Sequence, residues 1–183
     1  MKYFIDTEFK EKPNTIDLIS IGIACEDSRE YYAISSDFNL REAWSDEWLR
    51  VNVLLPIFEE GESYIGRSFN YQSMLNYIQG IGKGISQIKK EIVKFVNNDT
   101  PEFYGYYADY DWVVFCWIFG RMVDLPNGFP MYCKDLKQMM DERGLDKEWK
   151  QKNCPDLYGE HNALVDAKWN LGLYNAIIRH CNQ

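Results

Sequence analysis

Short apolar runs separated by polar turns fill the first 35 residues. Tyr3-Phe4-Ile5 reads as a strand over residues 2–6 that ends at Asp6. Leu18 to Cys25 is rich in β-branched residues and too short for an ordinary helix. Glu30 to Ile34 gives a third strand after the polar turn Glu26-Asp27-Ser28-Arg29. Three closely spaced strands predict an antiparallel meander with Asp6 on its first strand. Between residues 40 and 60, Trp44, Trp48, Leu49, Val53, Leu54 and Leu55 recur at helical spacing. Residues 61–84 are rich in Gly, Ser, Asn and Tyr, and predict an irregular or mobile excursion.

Ile85, Ile88, Ile92, Val93 and Val96 mark one face of a helix, with Lys89, Lys90 and Lys94 on the other and Asn97-Asn98-Asp99 at its end. Pro101 to Tyr107 reads as a fourth strand. Trp112 to Met122 reads as a buried helix opened by Asp111. Met131-Tyr132-Cys133 predicts a short fifth strand, followed by a helix from Asp135 to Glu142 that stops near Gly144. The last helix runs from Ala163 to Arg179 with Asn162 as its N-cap. Strands first, then alternating helices and strands, predict one mixed α/β layered domain over residues 1–183.

The 183 residues suffice to bury a full core, and the 46% hydrophobic and 16% aromatic content argues for a packed globule. The absence of a long apolar run argues against a membrane span and, with a poor signal-peptide start, places the protein in the cytoplasm by expectation. Cys25, Cys116, Cys133, Cys154 and Cys181 include no C-x-x-C pair, so they read as reduced thiols, not a zinc knuckle or a disulfide framework. A net charge of −8 argues against nucleic-acid binding through a general basic surface. It does not exclude a nuclease, because a carboxylate-built metal site is itself acidic and bound divalent ions reverse the local sign. Lys83, Lys89, Lys90 and Lys94 read as the solvated face of a helix in preference to a strand-guiding patch.

Asp6-Thr7-Glu8 sets two carboxylates on one face of a strand, since side chains alternate with period two. Carboxylates that close repel unless a cation neutralises them, and an all-oxygen donor set suits Mg²⁺ or Mn²⁺. Taken alone the triplet is a turn-forming acid pair. Asp111 stands at the start of an apolar helix, where the helix dipole favours an acid, and Asp109 competes with it for the same role. His161 precedes the last helix by two residues and Asp166 follows it by five, inside the apolar stretch Leu164-Val165-Asp166-Ala167. An unpaired carboxylate there is costly, and a metal would remove the cost. The other histidine, His180, falls in the last helical turn, a position that the dipole explains. Joint occurrence, not any one residue, points to a phosphodiester-cleaving site.

Asp6-Thr7-Glu8, Tyr110-Asp111 and His161-Asn162-Ala163-Leu164-Val165-Asp166-Ala167 resemble, in order and spacing, the three motifs of the DEDDh 3′-5′ exonucleases. The Asp-Thr-Glu-Phe start, the Tyr31 to Ile34 strand and the Trp48 to Leu54 segment are most similar to the ribonuclease AS-like branch, the polyadenylate-specific 3′-exoribonucleases. The chain departs in carrying Tyr106-Tyr107 where many relatives have His-Asn. The resemblance implies an RNase H-like fold, with a mixed five-stranded sheet whose first three strands are antiparallel, flanked by helices. It implies two Mg²⁺ or Mn²⁺ ions held by Asp6, Glu8, Asp111 and Asp166, with His161 as general base. Glu8 counts with His161 among the catalytic residues.

The resemblance also implies that Thr7 and Phe9 touch the terminal nucleotide. The expected substrate is a single-stranded 3′ end, RNA on the strength of the branch, with a preference for A-rich tails and release of nucleoside 5′-monophosphates. A homodimer is in keeping with related small exonucleases. Two competing readings are the same chemistry on DNA and a catalytically silent RNase H-like adaptor that binds nucleic acid.

Overall fold

The computed structural model describes residues 1–61, 68–155 and 161–182. Five strands form one sheet: β1 (Lys2–Lys12), β2 (Thr15–Cys25), β3 (Glu30–Ile34), β4 (Glu102–Gly105) and β5 (Lys134–Asp135), in the order β3-β2-β1-β4-β5. The first three are antiparallel neighbours, and β4 and β5 join in parallel on the far side of β1. This mixed α/β arrangement is consistent with the expected RNase H-like fold. Its antiparallel half forms through tight turns, whereas each parallel strand arrives after a helical crossover.

Helices cover both faces. Tyr3 and Ile5 of β1 share one face with Ile21, Ile23 and Cys25 of β2, packed on α5 (Ile85–Val96) and α6 (Asp109–Phe119). The opposite face carries two clusters. Phe4 and Ala24 pack with α7 (Leu136–Asp141) and α9 (Ala163–Cys181). Ile19 and Ile34 pack with α1 (Leu40–Ser45), a π-helical turn over Arg50–Leu54, α3 (Leu55–Glu59) and α4 (Tyr71–Ile81). Asp6 and Glu8 follow Phe4 at period two, so they lie on the face where these two clusters meet.

Several elements differ from the sequence reading. β1 does not stop at Asp6: it runs six residues further and pairs with β2 to Lys12↔Thr15. The acidic triplet is therefore mid-strand, and the alternating charges that suggested a turn form the polar face of a long hairpin. Lys10 pairs with Asp46 at 2.8 Å and Lys12 with Glu42 at 2.6 Å, which gives those charges partners beside α1. The reading of 61–84 as irregular fails over α4, where Asn70 accepts from Ser73 N–H and Met74, Tyr77 and Ile78 are buried; residues 62–67 of that span lie outside the described residues. The fifth strand is at Lys134–Asp135, not 131–133, and α6 begins at Asp109, three residues ahead of Trp112. The fourth strand is confined to Glu102–Gly105, and Tyr107 turns away with φ +56°. Helix α8 (Lys147–Asn153) had no apolar stripe to announce it and buries none of its residues.

The five cysteines are free thiols, with Cys25, Cys116 and Cys154 buried. Among the described residues, no helix is long and apolar enough to cross a membrane.

Candidate active site

The site forms where β4 parts from β1. The two strands pair only over Lys2–Phe4 with Glu102–Tyr104. Beyond Phe4, backbone groups on that side of β1 need other partners. The Ile5 carbonyl accepts from Asn170 Nδ2 of α9 at 2.9 Å, and the Thr7 N–H donates to Asp111 Oδ1 of α6 at 2.8 Å. One helix from each face is thereby fastened to the strand that carries Asp6 and Glu8. The split opens at the carboxyl ends of the parallel strands, where sheets of this kind characteristically place ligands.

A bulge follows immediately. Glu8 pairs with Ser20 but Phe9 with Leu18, so Ile19 is an extra residue on β2. Such a bulge re-aims neighbouring side chains. On the same strand Gly22 faces Asp6 in register, and α9 begins directly over it. A β-carbon at Gly22 would lie 2.1 Å from the Ala163 carbonyl oxygen and 2.4 Å from the Leu164 nitrogen. Only glycine lets the start of α9 approach that closely. Asn162, the expected N-cap, accepts from Leu164 N–H at 2.9 Å and Val165 N–H at 3.2 Å. Its amide nitrogen donates to both carboxylate oxygens of Glu60, at 3.0 and 2.8 Å, a tie to the end of α3 that the sequence did not disclose.

This scaffold brings Asp166 to β1. One carboxylate oxygen from each of Asp6, Glu8 and Asp166 lies within 4.8 Å of the others. Glu8 is 8% exposed, and burial raises its pKa to about 8, with the charges of Asp166 and Asp111 adding to the effect. Burial also lifts Asp6 well above the usual carboxylate range, reinforced by Asp111, Glu8 and Asp166. Asp111 lies outside the tight trio yet close enough to act on both β1 acids. Burial pushes it to about 6, opposed by the hydrogen bonds it accepts from Thr7. Asp109, the competitor, is exposed on the first turn of α6, so the structure brings Asp111 and not Asp109 to the site.

The remaining expected residues lie around this centre. His161 has φ +70°, and its N–H donates to Asp166 Oδ2 at 2.9 Å, so the turn before α9 closes onto the carboxylate. Its imidazole meets the Trp48 indole edge-to-face at 4.8 Å. Thr7, expected to touch the terminal nucleotide, is 5% exposed, and its hydroxyl donates to Asp111 Oδ1 at 2.6 Å. Phe9 packs against the α5–α6 cluster and meets Tyr110 edge-on at 6.0 Å. Tyr106 and Tyr107 contact each other, and Tyr106 also meets Trp169. Of the lysines, Lys83 lies ahead of α5 and pairs with Glu91, and Lys89 donates to the Phe119 carbonyl, so both are engaged within the fold.

No protein-family model matches the chain. Two Mycobacterium tuberculosis proteins, from the CDC 1551 / Oshkosh and ATCC 25618 / H37Rv strains, each bear the name 3′-5′ exoribonuclease. Each is 34% identical to this chain over 181 residues, which span 97% of this chain and 93% of the relative. With that identity extending across almost the whole of both proteins, the chain belongs to the family of 3′-5′ exoribonucleases.

Proposed function

We propose that this enzyme is a metal-dependent exoribonuclease of the DEDDh type and the ribonuclease AS-like branch, which shortens single-stranded RNA from its 3′ end and prefers A-rich tails. The observation that carries the reading is the convergence of Asp6, Glu8 and Asp166 to within 4.8 Å, with Asp6 and Glu8 pushed upward by burial and mutual repulsion. Three such acids can share this space only by holding protons or a cation. The donors are all carboxylate oxygens, which fits Mg²⁺ or Mn²⁺ and not a softer metal. Asp6, Glu8 and Asp166, with Asp111 beside them, would hold two ions. When bound, these would acidify a water and stabilise charge on the scissile phosphate and the departing 3′ oxygen.

The protein's own groups carry the rest. His161 takes the proton from the attacking water, in a turn whose backbone is fixed to Asp166. Thr7 keeps Asp111 oriented. Phe9, braced by Tyr110, offers an apolar edge to the terminal sugar or base. Attack on the last phosphodiester releases a nucleoside 5′-monophosphate and leaves the RNA one residue shorter. The names of the M. tuberculosis relatives support RNA as the substrate.

The test supplies 5′-labelled single-stranded RNA and DNA, including A-rich and mixed tails, with Mg²⁺, with Mn²⁺ and with chelator. Stepwise shortening of RNA from the 3′ end that vanishes with chelator and in Asp166→Ala is the expected result. No shortening of any substrate with either metal sinks the reading, and faster shortening of DNA overturns the choice of RNA.

A further inference from the structure

We propose that Trp48 is a positioning residue for the His161 imidazole. Trp48 is 53% exposed, yet its ring centroid lies 4.8 Å from that of His161 with the planes at 72°. This is a preferred edge-to-face geometry for two rings. Among the described residues, Trp48 is the aromatic ring that meets the imidazole. The backbone of His161 is anchored by its N–H bond to Asp166, but that bond leaves the side-chain torsions to be set by contact.

Trp48 is well placed to set them, because its own backbone is tied to the strand that supplies the carboxylates. It lies in the single turn α2 (Glu47–Leu49), whose cap Asp46 accepts from Trp48 N–H at 3.1 Å and Leu49 N–H at 3.2 Å. The same Asp46 pairs with Lys10 of β1 at 2.8 Å, two residues beyond Glu8. Asn52 Nδ2 donates to the Trp48 carbonyl at 2.9 Å, and the π-helical turn that follows buries Val53 and Leu54. A chain of fixed contacts therefore runs from β1 through Lys10, Asp46 and Trp48 to the imidazole. A half-exposed tryptophan adds little to the core, so its placement is better explained by the ring it touches.

The inference rests on His161 accepting the proton in the proposed reaction. Misplacement of such a group by about 1 Å costs on the order of 100-fold in rate. Steady-state kinetics on labelled RNA with Mg²⁺ or Mn²⁺ test it, using Trp48→Ala, Trp48→Phe, His161→Ala and the double variant His161→Ala/Trp48→Ala, with thermal melting to confirm folding. Trp48→Ala is expected to lower kcat by about 10-fold or more with KM within about twofold. Trp48→Phe, which keeps a ring, recovers most of the loss. In the His161→Ala background, Trp48→Ala adds nothing further. An equal loss in both backgrounds, or a change confined to KM, overturns the proposal and assigns the indole to substrate contact. An unchanged kcat in His161→Ala overturns the general-base reading itself, and this inference with it.

Discussion

Thr7 donates twice to a single oxygen of Asp111, through its N–H at 2.8 Å and its hydroxyl at 2.6 Å. The middle residue of the acidic triplet thus points away from the face of Asp6 and Glu8 and fixes an acid from the other side of the sheet. Hydrogen bonds to a buried carboxylate are worth about 1.5–3 kcal/mol each, and the hydroxyl supplies one of the two here. Thr7→Val, which keeps shape and loses the hydroxyl, is expected to lower kcat by about 10-fold or more and to weaken Mn²⁺ binding. Thr7→Ser is expected to retain most of both. Isothermal titration with Mn²⁺ and kinetics on labelled RNA check this; equal behaviour of Thr7→Val and wild type would remove the clamp from the argument.

Asp109 and Asp111 differ by one alternation in sequence and by their surroundings in the fold. Asp109 is exposed, and Asp111 is 8% exposed with Thr7 as its partner. Asp111→Asn is expected to abolish measurable RNA shortening, whereas Asp109→Asn keeps activity within about twofold, the range usual for surface changes. Paired assays at saturating Mg²⁺ decide it, and a severe loss in Asp109→Asn would reverse the assignment.

How much of this was legible beforehand depends on the range of the interaction concerned. The N-cap at Asn162, the core face of α5 at Ile88, Ile92 and Val96 and the antiparallel meander follow from local pattern, and the fold agrees with them. Val93, read on that same face, is exposed, as are Val113 and Trp117 of the helix read as buried and Met122, which lies beyond its end at Phe119. β1 runs past Asp6 because Lys10 and Lys12 find their partners in Asp46 and Glu42, 36 and 30 residues away. A charged alternation looks like a turn until α1 and Asp46 are beside it. Helix α4 carried a readable signal in Asn70, Met74, Tyr77 and Ile78, masked by its Asn, Ser and Tyr content. Within the site, the carboxylates could be named from motif order, but not what orients them. Thr7 to Asp111, Asn162 to Glu60 and Asn170 to Ile5 each join residues more than 100 positions apart, and no spacing rule reaches that far.

Gly22 is a position where sequence gave no hint and the packing leaves one answer. An added β-carbon would collide with the Ala163 carbonyl oxygen at 2.1 Å and the Ala163 carbonyl carbon at 2.2 Å, backbone atoms that cannot swing aside. Gly22→Ala must push the start of α9 off β2, moving Asn162, His161 and Asp166 together. The expected cost is about 1–3 kcal/mol of stability, as for other overpacked sites, with RNA shortening reduced about 100-fold. Urea unfolding and kinetics measure both. A variant with wild-type activity would show that α9 can be displaced without disturbing the carboxylates.

Burial of acids beside one another also fixes how the metal-free protein should respond to pH. Glu8 rises from 4.5 to about 8 on folding, so the folded state holds its proton more tightly than the unfolded chain does. Its contribution to stability is full below pH 4.5 and is lost as pH climbs through 8. A shift of this size corresponds to at most about 4–5 kcal/mol, and Asp6 acts in the same direction, through burial first and the neighbouring carboxylates second. In chelator, the melting temperature of wild type is therefore expected to fall between pH 5 and pH 8 relative to that of Glu8→Gln, which cannot ionise. Mn²⁺ replaces the protons as counter-charge, so it should raise the wild-type melting temperature more at pH 8 than at pH 5 and leave Glu8→Gln less affected. Melting curves of the two proteins across that range, with and without Mn²⁺, are the measurement. If wild type and Glu8→Gln run parallel from pH 5 to 8 in chelator, the carboxylates do not repel one another in the folded protein and the argument for a cation at their centre loses its electrostatic basis.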